Sequence, residues 1–80
     1  MTPRCTVESM VDILHAKVGV PRDTPNIETA SWEELGVESL GLTEVCTSLE
    51  HKLGITIPND EVFSLSNIRE LVAFVNSIEA

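Results

Sequence analysis

The chain has little positive charge and few aromatic residues. Five Lys and Arg stand against 13 Asp and Glu among 80 residues, which gives a formal net charge of −8. A surface this acidic repels a phosphate backbone, so we do not expect a nucleic acid partner. It would instead attract a protein with a basic patch and speed their encounter. Tyr is absent and only Trp32, Phe63 and Phe74 are aromatic, so the core must be mainly aliphatic.

Long apolar runs and metal-binding spacings are also missing. No segment reaches the roughly 18 apolar residues of a membrane span, and the opening MTPRCTVESM lacks the apolar stretch of a signal peptide. We therefore expect a cytoplasmic protein that does not enter a membrane. In that compartment Cys5 and Cys46 are not expected to form a disulfide. The chain has no CxxC or HxxxH pair, so we expect no metal site.

Nothing in the sequence places a nucleophile beside a base. If residues 39–53 are helical, His51 lies about 18 Å along the axis from Ser39, whereas nucleophilic catalysis needs hydrogen-bond contact. His15 falls at the edge of another helical stripe, and no glycine-rich phosphate loop is present. We therefore expect a protein that is not an enzyme.

Three segments carry apolar residues at helical spacing. The first covers residues 6–18 with Thr6 as its N-cap, the second covers residues 39–53, and the third is capped by Ser66 and runs to Ile78. Glycine follows each of the first two, which is a common stop signal. The predicted buried stripes are Val7, Met10, Val11, Leu14 and Val18; then Leu42, Val45, Cys46, Leu49 and Leu53; then Ile68, Leu71, Val72, Val75 and Ile78.

Shorter elements lie between these helices. Residues 31–35 have the spacing of a capping box and predict one turn that docks Trp32 on the core. Residues 59–65 predict a short helix with its first Asn as the cap, and residues 54–58 predict an extended connector whose two Ile side chains pack inward. The chain as a whole (residues 1–80) predicts a single all-α domain, a small four-helix bundle with three longer helices and one short helix.

The octapeptide LGVESLGL places Ser39 after a glycine turn and at the start of the second long helix. A serine in this position is an ordinary helix cap. A helix N-terminus also stabilises a phosphate group, because its free N–H groups and its dipole favour negative charge. On a helical wheel Leu40 points away from the core and stands beside a polar ridge that includes Glu44 and Thr47, which suits a docking surface for another protein. From the residues alone, both roles of Ser39 stay open.

The same octapeptide resembles the prosthetic-group attachment motif of acyl carrier proteins, Leu-Gly-x-Asp-Ser-Leu. The likeness continues through LEHKLGITIP (49–58), DEVF (60–63) and SLSNIRELVAFV (64–75). It implies a four-helix carrier in which a separate phosphopantetheinyl transferase attaches 4′-phosphopantetheine to Ser39. The terminal thiol of that arm would hold acyl groups as thioesters. An acyl- or aminoacyl-loading enzyme would supply them, and synthase or transferase enzymes of the pathway would receive them.

The resemblance also assigns the remaining site residues. It implies that Glu38, Leu40, Glu44, Thr47 and Ser48 contact partner proteins. It also implies that Val62 and Phe63 border an acyl pocket. Glu38 stands where the family has Asp, and the second long helix carries few acids. The Glu bears on how readily a transferase would modify Ser39, whereas the low acidity of the helix, compared with fatty-acid carriers, suggests a specialised polyketide or peptide-type pathway. We expect a monomeric carrier that serves polyketide, other specialised-metabolite or fatty-acid biosynthesis. An aminoacyl or peptidyl carrier is one alternative, and an unmodified carrier-like interaction module is another.

Overall fold

A computed structural model describes residues 5–78 of the chain. Five helices follow one another in this range: α1 (Val7–Val18), α2 (Trp32–Leu35), α3 (Ser39–Leu53), α4 (Asn59–Val62) and α5 (Ile68–Ser77). Residues 5–78 contain no strand. The all-α prediction is therefore confirmed, with three longer helices and with one helical turn each where a single turn and a short helix were predicted. None of the helices in this range has the length and apolar character that crossing a membrane would require.

Side-chain caps define the starts of α1 and α2. Thr6 Oγ1 accepts a hydrogen bond from Ser9 N at 3.1 Å, and Ser9 Oγ accepts one from Thr6 N at 3.1 Å. Ser31 and Glu34 form the same reciprocal pair at α2. The N–H of Ser31 stabilises the Glu34 carboxylate and so lowers the pKa of that side chain. The two caps predicted for these helices, Thr6 and the capping box, are confirmed.

Two other predicted caps are wrong. The N-cap of α5 is Asn67, whose Oδ1 accepts from Glu70 N at 2.9 Å, whereas Ser66 N donates to Glu70 Oε1 at 2.7 Å. Asn67 has the extended backbone of a cap, with φ −158° and ψ 177°. At α4 the N-cap is Pro58, no side chain caps the helix, and Asn59 is the first helical residue. Ser and Asn both favour N-caps, so the backbone conformation decides between neighbours.

The core is aliphatic and contains no buried polar or charged side chain among the residues described. Trp32 packs against it half-buried and donates its Nε1–H to Leu65 O at 3.0 Å. Ile57 of the connector is buried and Ile55 packs against the core, as predicted. The buried side chains are Cys5, Met10, Ile13, Leu14, Val20, Val37, Leu42, Val45, Cys46, Leu49, Ile57, Val62, Ile68, Leu71 and Val75.

Helix α1 packs against both α3 and α5. At one end, Cys5 N donates to Asn76 Oδ1 at 2.8 Å, and Asn76 Nδ2 donates to Cys5 O at 2.9 Å, which joins the start of α1 to the end of α5. At the other end, a Cβ added to Gly41 would lie 2.6 Å from Val18 Cγ1. Glycine at this position therefore lets the end of α1 come close to the first turn of α3. Helix α1 runs antiparallel to both of its neighbours.

Candidate functional site

A short turn leads from α2 into the first turn of α3. Gly36 has a left-handed backbone with φ +74° and ends α2. Val37 N donates to Trp32 O at 2.8 Å, and the Val37 side chain is buried. Glu38 and Ser39 follow and are both exposed. The buried Val37 therefore anchors the segment, while the next two residues face solvent at the surface.

Ser39 is the first residue of α3 and not its cap. The N-cap is Glu38, and no side chain makes a capping hydrogen bond at this helix. A cap has to lie outside the helix with an extended backbone, and Glu38 occupies that place with φ −90° and ψ 170°. The interpretation of Ser39 as a helix cap is therefore wrong. Its carbonyl accepts from Thr43 Oγ1 at 2.9 Å, and its side chain remains exposed.

The first turn of α3 leaves backbone donors available. Leu42 N donates to Glu38 O at 2.9 Å, so the N–H groups before it have no acceptor within the helix. The first turn contains no acidic residue. Free N–H groups and the helix dipole both favour an anionic group at this end. A phosphate ester on the Ser39 hydroxyl would lie beside these donors.

The predicted partner-binding residues lie on the outer side of α3. Leu40 is 73% exposed, as the helical wheel predicts. Glu44 and Thr47 are exposed and Ser48 is partly buried. Glu44, Thr47 and Ser48 line an open groove of about 340 Å³ together with Lys17 of α1 and Thr43. The sequence did not indicate that Lys17 lines this groove, because its position beside α3 depends on how the two helices pack.

The two residues predicted to border an acyl pocket lie in different environments. Val62 is 1% exposed and belongs to the core, whereas Phe63 is the C-cap of α4 and is 49% exposed. Val62 could line a cavity only from inside the core, and Phe63 could line one only from the surface. An acyl pocket bordered by both residues stays a prediction.

Other side chains within residues 5–78 that could be reactive include the two thiols and His15. Burial and the nearby Glu50 carboxylate raise the pKa of Cys46 to about 11, and burial raises the pKa of Cys5. Both thiols are therefore protonated and inaccessible at neutral pH. His15 Nδ1 lies 3.1 Å from Val20 O. No cluster within residues 5–78 has three side chains able to ligate a metal.

Comparisons with known proteins agree with this architecture. A family model described as a phosphopantetheine attachment site matches residues 8–75. The acyl carrier protein of Campylobacter hominis is 31% identical over 71 residues, covering 89% of this chain and 90% of the relative. That of Beutenbergia cavernae is 27% identical over 71 residues, covering 89% and 87%. The chain belongs to the acyl carrier protein family.

Solved structures share the fold over nearly the whole chain. The actinorhodin holo acyl carrier protein from Streptomyces coelicolor is 26% identical, with 98% of this chain and 94% of that chain covered and a TM-score of 0.80. The octanoyl form of the carrier from the actinorhodin polyketide synthase is 26% identical over 96% and 93%, with a TM-score of 0.84. The cofactor is therefore a covalently attached phosphopantetheine. Carriers of this family work with synthases and transferases and are generally not enzymes themselves.

The first turn of α3 fits this group. An attachment residue needs an exposed hydroxyl, and Ser39 provides one. The phosphate needs donors, and the free N–H groups of the first turn provide them. The exposed side chain of Leu40 stands beside the site where a modifying enzyme would approach.

Proposed function

We propose that Ser39 carries 4′-phosphopantetheine and that the chain presents acyl intermediates as thioesters to the enzymes of a polyketide or related specialised pathway. The observation that carries the proposal is the exposed Ser39 hydroxyl on the first residue of an uncapped helix. The arm supplies a thiol that forms thioesters with acyl groups. This chain's own residues hold the phosphate ester and provide the surface on which partners dock.

The attachment reaction needs a base from the transferase. Ser39 Oγ forms a new bond to the phosphorus of the pantetheine phosphate in coenzyme A. The diphosphate bond breaks, and adenosine 3′,5′-bisphosphate leaves. The hydroxyl proton goes to the transferase, because the nearest histidine along α3, His51, is twelve residues away, or about 18 Å along the helix axis.

The charge on α3 favours partners that differ from those of an acid-rich carrier. Its only acids are Glu44 and Glu50. Glu50 Oε2 accepts a hydrogen bond from Ile57 N at 2.8 Å, so its carboxylate is engaged in holding the connector. Glu44 is therefore the acid on α3 that remains available to a basic partner surface, and Glu38 precedes it at the N-cap. Together with the likeness to polyketide synthase carriers, this supports a polyketide pathway over fatty-acid synthesis.

Intact mass spectrometry tests the proposal. Wild-type protein incubated with coenzyme A and a broad-specificity phosphopantetheinyl transferase should gain one phosphopantetheine, and Ser39→Ala should gain none. Ser77→Ala, an exposed serine on α5, is the matched control and should gain one. Modification of Ser39→Ala would exclude Ser39 as the attachment residue. Failure of the wild type with several transferases, including that of its own host, would contradict the carrier function.

The unmodified interaction module is the second candidate, and Glu38 is the observation that favours it. Glu38 stands beside Ser39 in place of the family's Asp, and its carboxylate makes no capping hydrogen bond. Glu38→Asp should therefore be modified faster than the wild type if this side chain limits the transferase. If only Glu38→Asp is modified, the natural chain is a module without an arm. An aminoacyl or peptidyl cargo would be recognised by the mass of the group on protein purified from its host.

A further inference from the structure

A groove lined by polar residues, through both their polar groups and their apolar stems, runs along α3 away from Ser39. Side chains four residues apart form ridges on a helix surface, and one ridge begins at Ser39 while its neighbour begins at Leu40. The first ridge continues through Thr43 and Thr47, and the second continues through Glu44 and Ser48. The groove lies between them, and the end of α1 closes one side. The side chains that line it are Lys17, Thr43, Glu44, Thr47 and Ser48. Ser39 and Leu40 therefore stand at the head of the groove.

Close packing of α1 brings Lys17 to this groove. Gly41 has no side chain, and a Cβ there would lie 2.6 Å from Val18 Cγ1. A Cβ at position 41 would force the Val18 side chain, or the end of α1 that carries it, to shift. Lys17, the neighbour of Val18, is exposed, and no ion pair within residues 5–78 engages its ammonium group. The groove thus has one positive charge that is free to donate hydrogen bonds.

The two threonine hydroxyls that line the groove already donate to the helix backbone. Thr43 Oγ1 donates to Ser39 O at 2.9 Å, and Thr47 Oγ1 donates to Thr43 O at 3.0 Å. Each hydroxyl has one hydrogen, which these bonds use, so only lone pairs remain for a ligand. Glu44 adds a carboxylate acceptor, whereas Lys17 is a donor. The groove therefore offers donors and acceptors beside the apolar stems of the same side chains, which suits a chain in which amide and methylene groups alternate.

We propose that the phosphopantetheine arm of the modified carrier lies in this groove and is held by Thr47, Glu44 and Lys17. The arm contains two amides, and each has an N–H that needs an acceptor and a C=O that needs a donor. Thr47 and Glu44 would accept from the N–H groups, and Lys17 would donate to a C=O. This inference rests on the proposed attachment at Ser39. It adds a resting site for the arm between α1 and α3, away from α4.

The length of the arm matches the groove. Ser48 lies nine residues after Ser39, or about 14 Å along the helix axis. Between its phosphate and its sulfur the arm has as many chain atoms as about four amino-acid residues, and an extended chain of that length spans about 13–14 Å. An extended arm would therefore bring its thiol to the Ser48 end of the groove.

Nuclear magnetic resonance of isotope-labelled protein before and after modification tests the proposal. Intact mass first confirms one arm on Ser39, so failure of the attachment is detected separately. In the modified protein, nuclear Overhauser contacts should join the arm to the side chains of Thr47 and Lys17. Amide shift changes should extend to Ser48. Contacts to Val62 and Phe63 instead, or shift changes confined to the first turn of α3, would overturn the proposal.

Two variants sharpen this measurement. Thr47→Val keeps the side-chain shape and removes the acceptor, and Lys17→Gln removes the charge. Each should reduce the modification-induced shift changes beyond the first turn by at least twofold. Thr56→Val, on the exposed part of the connector, is the matched control and should leave them unchanged. The apo spectrum of each variant verifies its fold, and unchanged shifts in a folded Lys17→Gln protein would contradict the proposed role of Lys17.

Discussion

On its inner side α3 presents Leu42, Val45 and Leu49 to the core, each no more than 4% exposed, whereas on its outer side Leu40 is 73% exposed. The inner residues are held by contacts with the rest of the bundle. The hydroxyls of Thr43 and Thr47 on the outer side donate to carbonyl groups of their own helix. The fold can therefore tolerate change on the outer face, which leaves that face available for a prosthetic group and for partners.

The largest expected difference between the two faces is in stability. Leu49→Ala should lower the free energy of unfolding by about 2–5 kcal/mol, because it removes buried methyl groups and leaves a cavity. Leu40→Ala should change it by less than about 0.5 kcal/mol, because the side chain is already in water. Urea unfolding followed by circular dichroism measures both. Equal losses for the two variants would show that Leu40 is packed as part of the core.

Unfolding measured at a series of alkaline pH values tests the burial of Cys46 on the inner side of α3. Burial raises the pKa of Cys46 to about 11, above its usual value of 9.0. The folded protein thus binds the thiol proton more tightly than the unfolded chain. The stability from this thiol is fully present below about pH 9 and is lost as the pH rises towards about 11. Between about pH 8 and about pH 10.5, the advantage of the wild type over Cys46→Ala should shrink by about 1–2 kcal/mol.

The comparison with Cys46→Ala removes the contribution of other titrating groups. Every group other than Cys46 is common to both proteins, so only the difference between the two unfolding free energies is informative. A difference that stays constant over this range would mean that the Cys46 thiol is no more protonated in the folded state than in the unfolded chain. Urea titrations at each pH provide the values.

The pattern of α3 was predictable because its cause is local. Helical periodicity alone places Leu40 outside and Leu49 inside, and the structure agrees on both. The groove was not predictable, since Lys17 reaches it only through the approach of Val18 to Gly41, which depends on tertiary packing.

The starts of helices were predictable where two signals coincide. Thr6 is confirmed as the N-cap of α1 by its reciprocal hydrogen bonds with Ser9. At Ser66 and Asn67 two capping residues are adjacent, and the sequence does not decide between them because the choice depends on the backbone. At α3 the sequence left open whether Ser39 is the cap, and the structure gives that position to Glu38, whereas the resemblance to the carrier family is confirmed.

The smallest expected effect concerns the start of α3, where the outer face begins. Glu38→Ser should raise the free energy of unfolding by a few tenths to about 1 kcal/mol, because serine at an N-cap accepts from the backbone and Glu38 does not. Thr6→Ala, which removes a working cap, should lower it by about 1 kcal/mol. Ser39→Ala should stay within about 0.5 kcal/mol of the wild type, since its side chain is exposed and is not the cap. Thermal and urea unfolding of the three variants separate these outcomes. If Ser39→Ala lowers the free energy of unfolding as much as Thr6→Ala does, the Ser39 hydroxyl stabilises the helix. The outer face of α3 would then contribute to stability at its first residue, as the inner face does.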